Sequence, residues 1–389
     1  MVNRIAKKIL KLYSRQFRAL AVVGPRQSGK TTLVRKTFPR KPYVSLENPD
    51  ERIQADNDPR AFLNRFRNGA IIDEVQRVPA LFSYLQQVLD ETNKAGLFIL
   101  TGSNNFLLQQ SVTQSLAGRI GYIDLLPLCL KEINLFGRVP LSTDALILNG
   151  CYPELYDKER KPGIWYPSYI RTYVERDVKQ LRNIENTLLF TRFLQLCAGR
   201  IGQMLSAASL SNDAGVDVRT VNAWLGILQS SYIIHLLPPH HRNFNKRLVK
   251  TPKLYFVDTG LACSLLGIRQ EKELTNSHFR GALFENYVLM ELMKMKFNSG
   301  SHTNFFFWRD NKGVEVDVLV DDGKKLFPVE IKAAQTFNDS YLKAIRTWNN
   351  YSGNTGGLLI YDGRQEFTQT DKIKVRNWRS AGEIKYYYT

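Results

Sequence analysis

The sequence predicts an α/β chain of more than one domain, and three observations predict it. A glycine-rich turn, G-x-x-x-x-G-K-T, follows a short apolar run and opens a helical stretch. Farther on, two short amphipathic stretches joined at a glycine precede two apolar strands. Near the C-terminus, a hairpin with period-two patterning places several acids on one face. The chain has 389 residues, too many for one ordinary core, so two to three domains are expected. Hydrophobic content of 43% and aromatic content of 11% place it among globular rather than disordered chains.

The glycine-rich turn lies in "LAVVGPRQSGKTTLV", residues 20–34. Leu20 to Val23 reads as a strand and the stretch after Lys30 as a helix, which is the context a phosphate-binding loop needs. Gly24, Pro25, Arg26, Gln27, Ser28 and Gly29 would wrap backbone N–H groups around phosphates, and the helix start adds partial positive charge. Lys30 reaches the β- and γ-phosphates; Thr31 supplies a Mg²⁺ ligand, and Thr32 follows in the same turn. The expected cofactors are ATP and Mg²⁺. "GAIIDEVQRVP", 69–79, reads as a buried strand ending in two acids. Asp73 would hold Mg²⁺ at the C-terminal edge of a parallel sheet, and Glu74 would polarise the attacking water. A further strand, "LFILTGSNN", 97–105, brings Ser103 and Asn104 to the γ-phosphate. Helices around 28–38, 58–67 and 79–92 alternate with these strands, giving a parallel sheet with crossover helices. "SLENPDERIQADNDP", 45–59, reads as an acidic loop.

Composition narrows the setting. Cys129, Cys151, Cys197 and Cys263 are scattered with no C-x-x-C pair, which argues against a zinc ribbon or a disulfide framework and for buried thiols in a reducing cytoplasm. No apolar run approaches the ~18–20 residues that span a bilayer, so no membrane role is expected. The first twenty residues carry six basic residues and no acid, with Ile5, Ile9, Leu12 and Tyr13 at helical spacing. An amphipathic helix packed on the following domain is the expectation. A formal charge of +18 suggests a polyanionic partner, with DNA the leading candidate, although a basic surface also suits an acidic protein.

The middle of the chain reads as helical from about 141 to 190, with "WYPSYIRTYVERDVKQL" as a lid or connector. In 206–237, Leu210 and Ala214 face inward on one short helix and Gly215 makes the bend. Val218, Val221, Leu225 and Leu228 face inward on a second helix, capped by Asp217. Strands at "SYIIHLL" and "PKLYFVD" would flank a basic loop, with five Lys and Arg residues and no acid from His241 through Lys253. A helix-turn-helix with a basic β-ribbon is a winged helix, whose usual partner is duplex DNA through phosphate contacts. Acidic Asp213 and Asp217 beside the second helix keep a protein-interaction role open.

The C-terminal hairpin is "GVEVDVLVDDGKKLFPVEIKAAQ", 313–335. A two-residue turn at Gly323-Lys324 pairs Asp317 with Glu330; a turn at Asp322-Gly323 makes them diagonal neighbours. Either register puts both on one face with Lys332, provided no bulge intervenes. Two carboxylates ~5 Å apart repel by roughly 3 kcal/mol at an effective dielectric of 20, so a compensating cation is expected. Lys332 offers part of it; Mg²⁺ or Mn²⁺ held by Asp317 and Glu330 would offer more and could activate water for phosphodiester attack. "FRGALFENYVLMELMKM", 279–295, reads as a helix carrying Glu285 in its first turns, and Tyr386 to Tyr388 read as packing or strand.

The first ~130 residues resemble an AAA-type ATPase module, and "SLAGRIGYIDLLPL" and "YIRTYVERDV" resemble a prokaryotic family joining such a module to a C-terminal domain of unknown function. The resemblance implies ATP hydrolysis in a homo-oligomer whose site is completed by a neighbouring subunit's arginine; Arg119 is the first candidate and Arg176 the second. Glu285, Asp317 and Glu330-Ile331-Lys332 resemble the restriction-endonuclease-like fold, which implies Glu285, Asp317, Glu330 and Lys332 as its site. Glu315-Val316 stands where a proline often precedes the aspartate. The expected organisation is an AAA-type P-loop domain at 1–135, a helical connector at 136–190, a winged helix at 191–268 and a restriction-endonuclease-like α/β domain at 269–389. Two functions stay open: an ATPase that engages DNA without sequence preference and cuts it with Mg²⁺, or an ATP-dependent switch whose C-terminal domain is a non-catalytic scaffold for a protein partner.

Overall fold

The computed structural model describes residues 3–102, 116–137, 140, 142–173, 186–240, 251–301 and 303–380. They form two compact units. One comprises the described residues up to Leu128 with Ser230–Tyr232 and Phe297–Ser301; the other comprises the rest. The boundaries expected near 190 and 268 both fall inside the second unit.

The first unit is built on five parallel strands: β1 (Ala19–Val23), β2 (Tyr43–Ser45), β3 (Ile71–Asp73), β4 (Phe98–Gly102) and β5 (Ile120–Asp124). Their order is β2-β3-β4-β1-β5. Every residue of β1 is buried. Ala19, Ala21 and Val23 join one core and Leu20 and Val22 the other, which is why this strand reads as a continuous apolar run. The Lys7–Gln16 helix seals the second core with Ile9 and Leu10, alongside Ala6 at its N-cap. Leu12, expected on that face, is exposed instead, because the buried stripe runs through Leu10.

Residues 45–59 are not an acidic loop. Pro49–Asn57 is a helix, and Pro59–Asn64 is another. Asn48 accepts the Asp50 N–H at 3.0 Å and Asp58 accepts the Ala61 N–H at 2.9 Å, each followed by a proline in the first helical position. Asp50 and Glu51 sit in the first turn, where the helix dipole favours negative charge.

In the second unit, helices Thr143–Asn149, Pro153–Asp157, Pro162–Tyr173 and Thr187–Ala198 precede a helix pair, Ala207–Ala214 and Val218–Ser230. Gly215 closes the first of the pair at φ +71°, a left-handed conformation that favours glycine. Asp217 starts the second by accepting the Thr220 N–H at 2.9 Å. Val221, Leu225 and Leu228 are buried as expected, but Val218 is 43% exposed, because it occupies the first turn. Strands β6 (Ile234–Leu237) and β7 (Lys253–Phe256) pair antiparallel, with His235 opposite Tyr255. The basic stretch 241–250 lies outside the described residues.

A six-stranded mixed sheet completes this unit: β8 (Asn304–Arg309), β9 (Glu315–Asp321), β10 (Leu326–Lys332), β11 (Gly357–Tyr361), β12 (Phe367–Thr368) and β13 (Ile373–Asn377). The order is β12-β13-β11-β10-β9-β8. β8, β9 and β10 are antiparallel neighbours; the Lys343–Ser352 helix then carries the chain over to β11, parallel to β10. The β9–β10 register pairs Val318 with Val329, so Asp317 and Glu330 face each other one step farther, the first of the two expected registers. A register shift lies in the β8–β9 pairing, where Asp317 and Val318 together oppose Phe307, while the β9–β10 register runs without a shift.

Candidate functional site

The phosphate loop follows β1. A Cβ on Gly24 would sit 2.2 Å from the Leu125 carbonyl oxygen, and the residue has φ +149°, so only glycine fits. Gly29 turns the chain at φ +89° into the Lys30–Thr37 helix. Lys30, 6% exposed, lies back across the loop, its Nζ donating to the carbonyls of Gly24 at 2.9 Å and Pro25 at 2.7 Å. Ser28 is wholly buried, and its carbonyl accepts from Arg4 Nη1 at 2.6 Å while Nη2 donates to the Leu126 carbonyl at 2.7 Å. Arg4 thus braces the loop against the segment after β5, a role no motif announces.

Asp73, 8% exposed, stands at the end of β3. Thr31 Oγ1 lies 3.1 Å from its Oδ2, Tyr43 donates to the same oxygen at 2.7 Å, and the Thr101 hydroxyl donates to Oδ1. The sheet explains the partners: Thr101 is directly beside Asp73 on β4, and Tyr43 projects from neighbouring β2. Burial, then the Asp73 contact, pushes the Tyr43 hydroxyl up to about 12. A threonine hydroxyl and a carboxylate in contact are hard oxygen donors, and Mg²⁺ needs only one or two from protein because it keeps several waters. The residues fit that ion. Glu74 has φ +54°, unusual for a side-chain-bearing residue, and its Oε2 accepts from Gln76 at 2.5 Å.

Other expected groups fare differently. Ser103, Asn104, Arg176 and Tyr386 to Tyr388 lie outside the described residues. Arg119 is engaged within its own chain: Nε and Nη2 donate to the two Asp90 oxygens at 2.7 and 2.8 Å.

The second unit does bring Glu285, Asp317, Glu330 and Lys332 into one cluster. Lys332 Nζ is 2.5 Å from Glu330 Oε1 and 3.6 Å from Asp317 Oδ2, and Asp317 Oδ2 also accepts the Ile331 N–H at 2.8 Å. A second lysine joins them without any signal in the sequence. Lys253, from β7 and 3% exposed, is 2.5 Å from Glu315 Oε1 and 3.3 Å from Glu285 Oε1; Tyr255 donates to that same Glu285 oxygen at 2.5 Å. Burial alone would lower both ammonium groups. For Lys253, Glu285 and then Asp317 and Glu315 outweigh it; for Lys332, Asp317 and Glu330 do. Burial, then Asp317, pushes Glu330 up to about 8, and Glu330 Oε2 is buried without a hydrogen-bond partner. Among the described residues, no group of three or more His, Cys, Asp or Glu is arranged to hold a metal ion. The Asp317–Glu330 pair is compensated by the Lys332 ammonium, and the residues as placed do not fit a resident divalent ion.

Parallel sheet, phosphate loop and strand-end aspartate define an AAA-type ATPase domain, and residues 16–134 match the family model described as "AAA domain". Residues 142–272 and 280–380 match two models described as domains of unknown function, DUF8612 and DUF4143. The chain belongs to the family of the uncharacterized proteins Rv2008c of Mycobacterium tuberculosis and Mb2031c of Mycobacterium bovis, each 30% identical over 356 residues, covering 90% of this chain and 78% of the relative. An uncharacterized Haemophilus influenzae protein is 22% identical over 244 residues, covering 58% of this chain and 57% of that protein. Among solved structures, the Walker-type ATPase PABY2304 of Pyrococcus abyssi aligns at 15% identity and TM-score 0.46, covering 67% of this chain and 94% of that one. AMPPCP-bound DnaA from Aquifex aeolicus aligns at 14% identity and TM-score 0.29, covering 58% and 86%. None of the described helices is long and apolar enough to cross a membrane.

Proposed function

We propose that the chain binds and hydrolyses ATP with Mg²⁺ and uses the nucleotide cycle to control engagement of DNA by its second unit. The observation that carries the reading is the Thr31–Asp73 contact at 3.1 Å beside a lysine already turned into the phosphate loop. The loop from Gly24 to Gly29 offers its N–H groups to the phosphates, Lys30 leaves its carbonyl partners for the phosphate oxygens, and Thr31 and Asp73 hold Mg²⁺, which offsets the phosphate charge. Glu74, at the end of β3, takes the role of orienting and polarising water. Lys30→Ala should abolish measurable ATP uptake in calorimetry and reduce turnover by at least about 10²-fold. Unchanged nucleotide binding in that variant would remove the basis of the proposal.

A second reading rests on a separate observation, Asp317 facing Glu330 with Lys332 on the same side. In it the carboxylates would hold Mg²⁺ or Mn²⁺ and cut phosphodiester bonds, with Glu285 assisting, only after the lysines now paired with them give way. Plasmid DNA incubated with Mn²⁺, beside a Lys332→Ala variant, decides between cutting and mere engagement. Nicking by the unaltered chain alone supports the nuclease, and intact plasmid in both arms supports the switch.

A further inference from the structure

We propose that Lys253 is a built-in cation of the second unit's carboxylate cluster, occupying charge and lone pairs that a divalent ion would need, so that the resting protein keeps the cluster free of metal. The nucleotide site plays no part in this.

The cluster draws on two parts of the chain. Glu285 is on the Arg280–Ser299 helix, Glu315 and Asp317 are on β9, and Glu330 and Lys332 are on β10. Lys253 comes from β7, the second strand of the ribbon, outside the segment that carries the acids. Its position is tightly determined. Lys253 pairs with Leu237 across the ribbon and makes a bridge with Met204 on its other side. Tyr255, two residues along and hence on the same face, donates to Glu285 as Lys253 does. The ammonium is 2.5 Å from Glu315 and 3.3 Å from Glu285, and it is buried, so water does not screen it.

Lys332 covers the other end, on Glu330 and Asp317, while the Ile331 N–H takes a further Asp317 lone pair. Four carboxylates are thus met by two buried or half-buried lysines, with Arg309 adding a contact to Glu315 at 3.4 Å. A small divalent ion demands near-octahedral oxygen coordination, and each of the four carboxylates already gives an oxygen to an ammonium, one of them to an amide as well. An ion added beside two fixed positive charges is repelled by both. The ribbon therefore completes the cluster, and removing its lysine should turn a neutralised cluster into a divalent-ion site.

The test counts bound Mn²⁺ by electron paramagnetic resonance in the full chain carrying Asp73→Asn, which silences the nucleotide site. With Lys253 present, no bound ion is expected up to about 1 mM; with Lys253→Gln, about one ion per chain should bind, at least about tenfold more tightly. Stoichiometric Mn²⁺ with Lys253 in place overturns the proposal. So does the absence of any gain in a Lys253→Gln variant that still melts cooperatively. If Lys253→Gln does not fold, Lys253→Gln with Glu315→Gln removes the shorter ion pair and leaves Glu285 its Tyr255 hydrogen bond, and no gain in that variant overturns the proposal equally. None of these outcomes bears on ATP binding.

Discussion

At the scale of single residues, Arg119 shows how a motif position acquires a different explanation once its neighbours are known. Its sequence context makes it the first candidate to reach a neighbouring subunit's phosphates. In the structure the Nε–Nη2 edge of its guanidinium rests on Asp90, which also receives Arg18 at 2.8 Å, while Nη1 donates to the Ala117 carbonyl. Arg119 and Asp90 are both partly solvent-exposed, the setting in which ion pairs contribute little to stability. Arg119→Ala should therefore leave the melting temperature nearly unchanged and ATP turnover within about twofold. A loss of about 10³-fold or more in turnover would restore the finger role. Lys30, Thr31 and Asp73 are legible in the sequence because their chemistry depends on local spacing. Tyr43, Thr101 and Lys253 are not, because strand neighbours that are far apart in sequence carry no mutual signal. Arg4 escapes for the same reason.

At the scale of elements, apolar runs and turn chemistry locate β1, β3, β4, the β9–β10 hairpin and the helix pair around Gly215. The three-residue strand β2 escapes because so short a stretch has no period. The Pro49–Asn57 helix escapes because its acids suggest a loop, although Asn48-Pro49 is a helix start. The ribbon also makes stability depend on pH. His235 on β6 is half-buried, and burial followed by the nearby Lys296 lowers its pKa to about 4. Its folded value lies below the unfolded one, so between about pH 6.5 and 4 the unfolded chain binds the extra proton and stability falls as pH falls. From pH 8 to 5 this one group removes at most about 2 kcal/mol, less to the extent that water reaches the ring. Urea titrations at both pH values should show His235→Gln losing less stability than the parent over that interval. Equal losses would show that the ring does not titrate between the folded and unfolded states.

At the scale of the whole molecule, the excess of basic residues is the property that no single element explains. A formal charge of +18 on 389 residues exceeds what solubility requires of a domain-sized surface. Part of the charge is consumed internally: Lys30, Lys253 and Lys294 are buried, the last against Glu291 at 2.9 Å. Lys253 and Lys294 neutralise buried carboxylates and Lys30 is reserved for the nucleotide, so none of the three is available to a nucleic-acid backbone. The exposed remainder can. If DNA is the partner, each phosphate neutralised releases a counterion, and binding follows salt by mass action rather than by sequence. Affinity for a random duplex should then fall by roughly 10³-fold or more between about 50 and 200 mM salt, if about six phosphates are contacted, with little preference among sequences. A flat plot of log K against log salt would mean that the surplus charge serves an acidic protein partner instead, since a discrete set of ion pairs has no condensed counterion atmosphere to release.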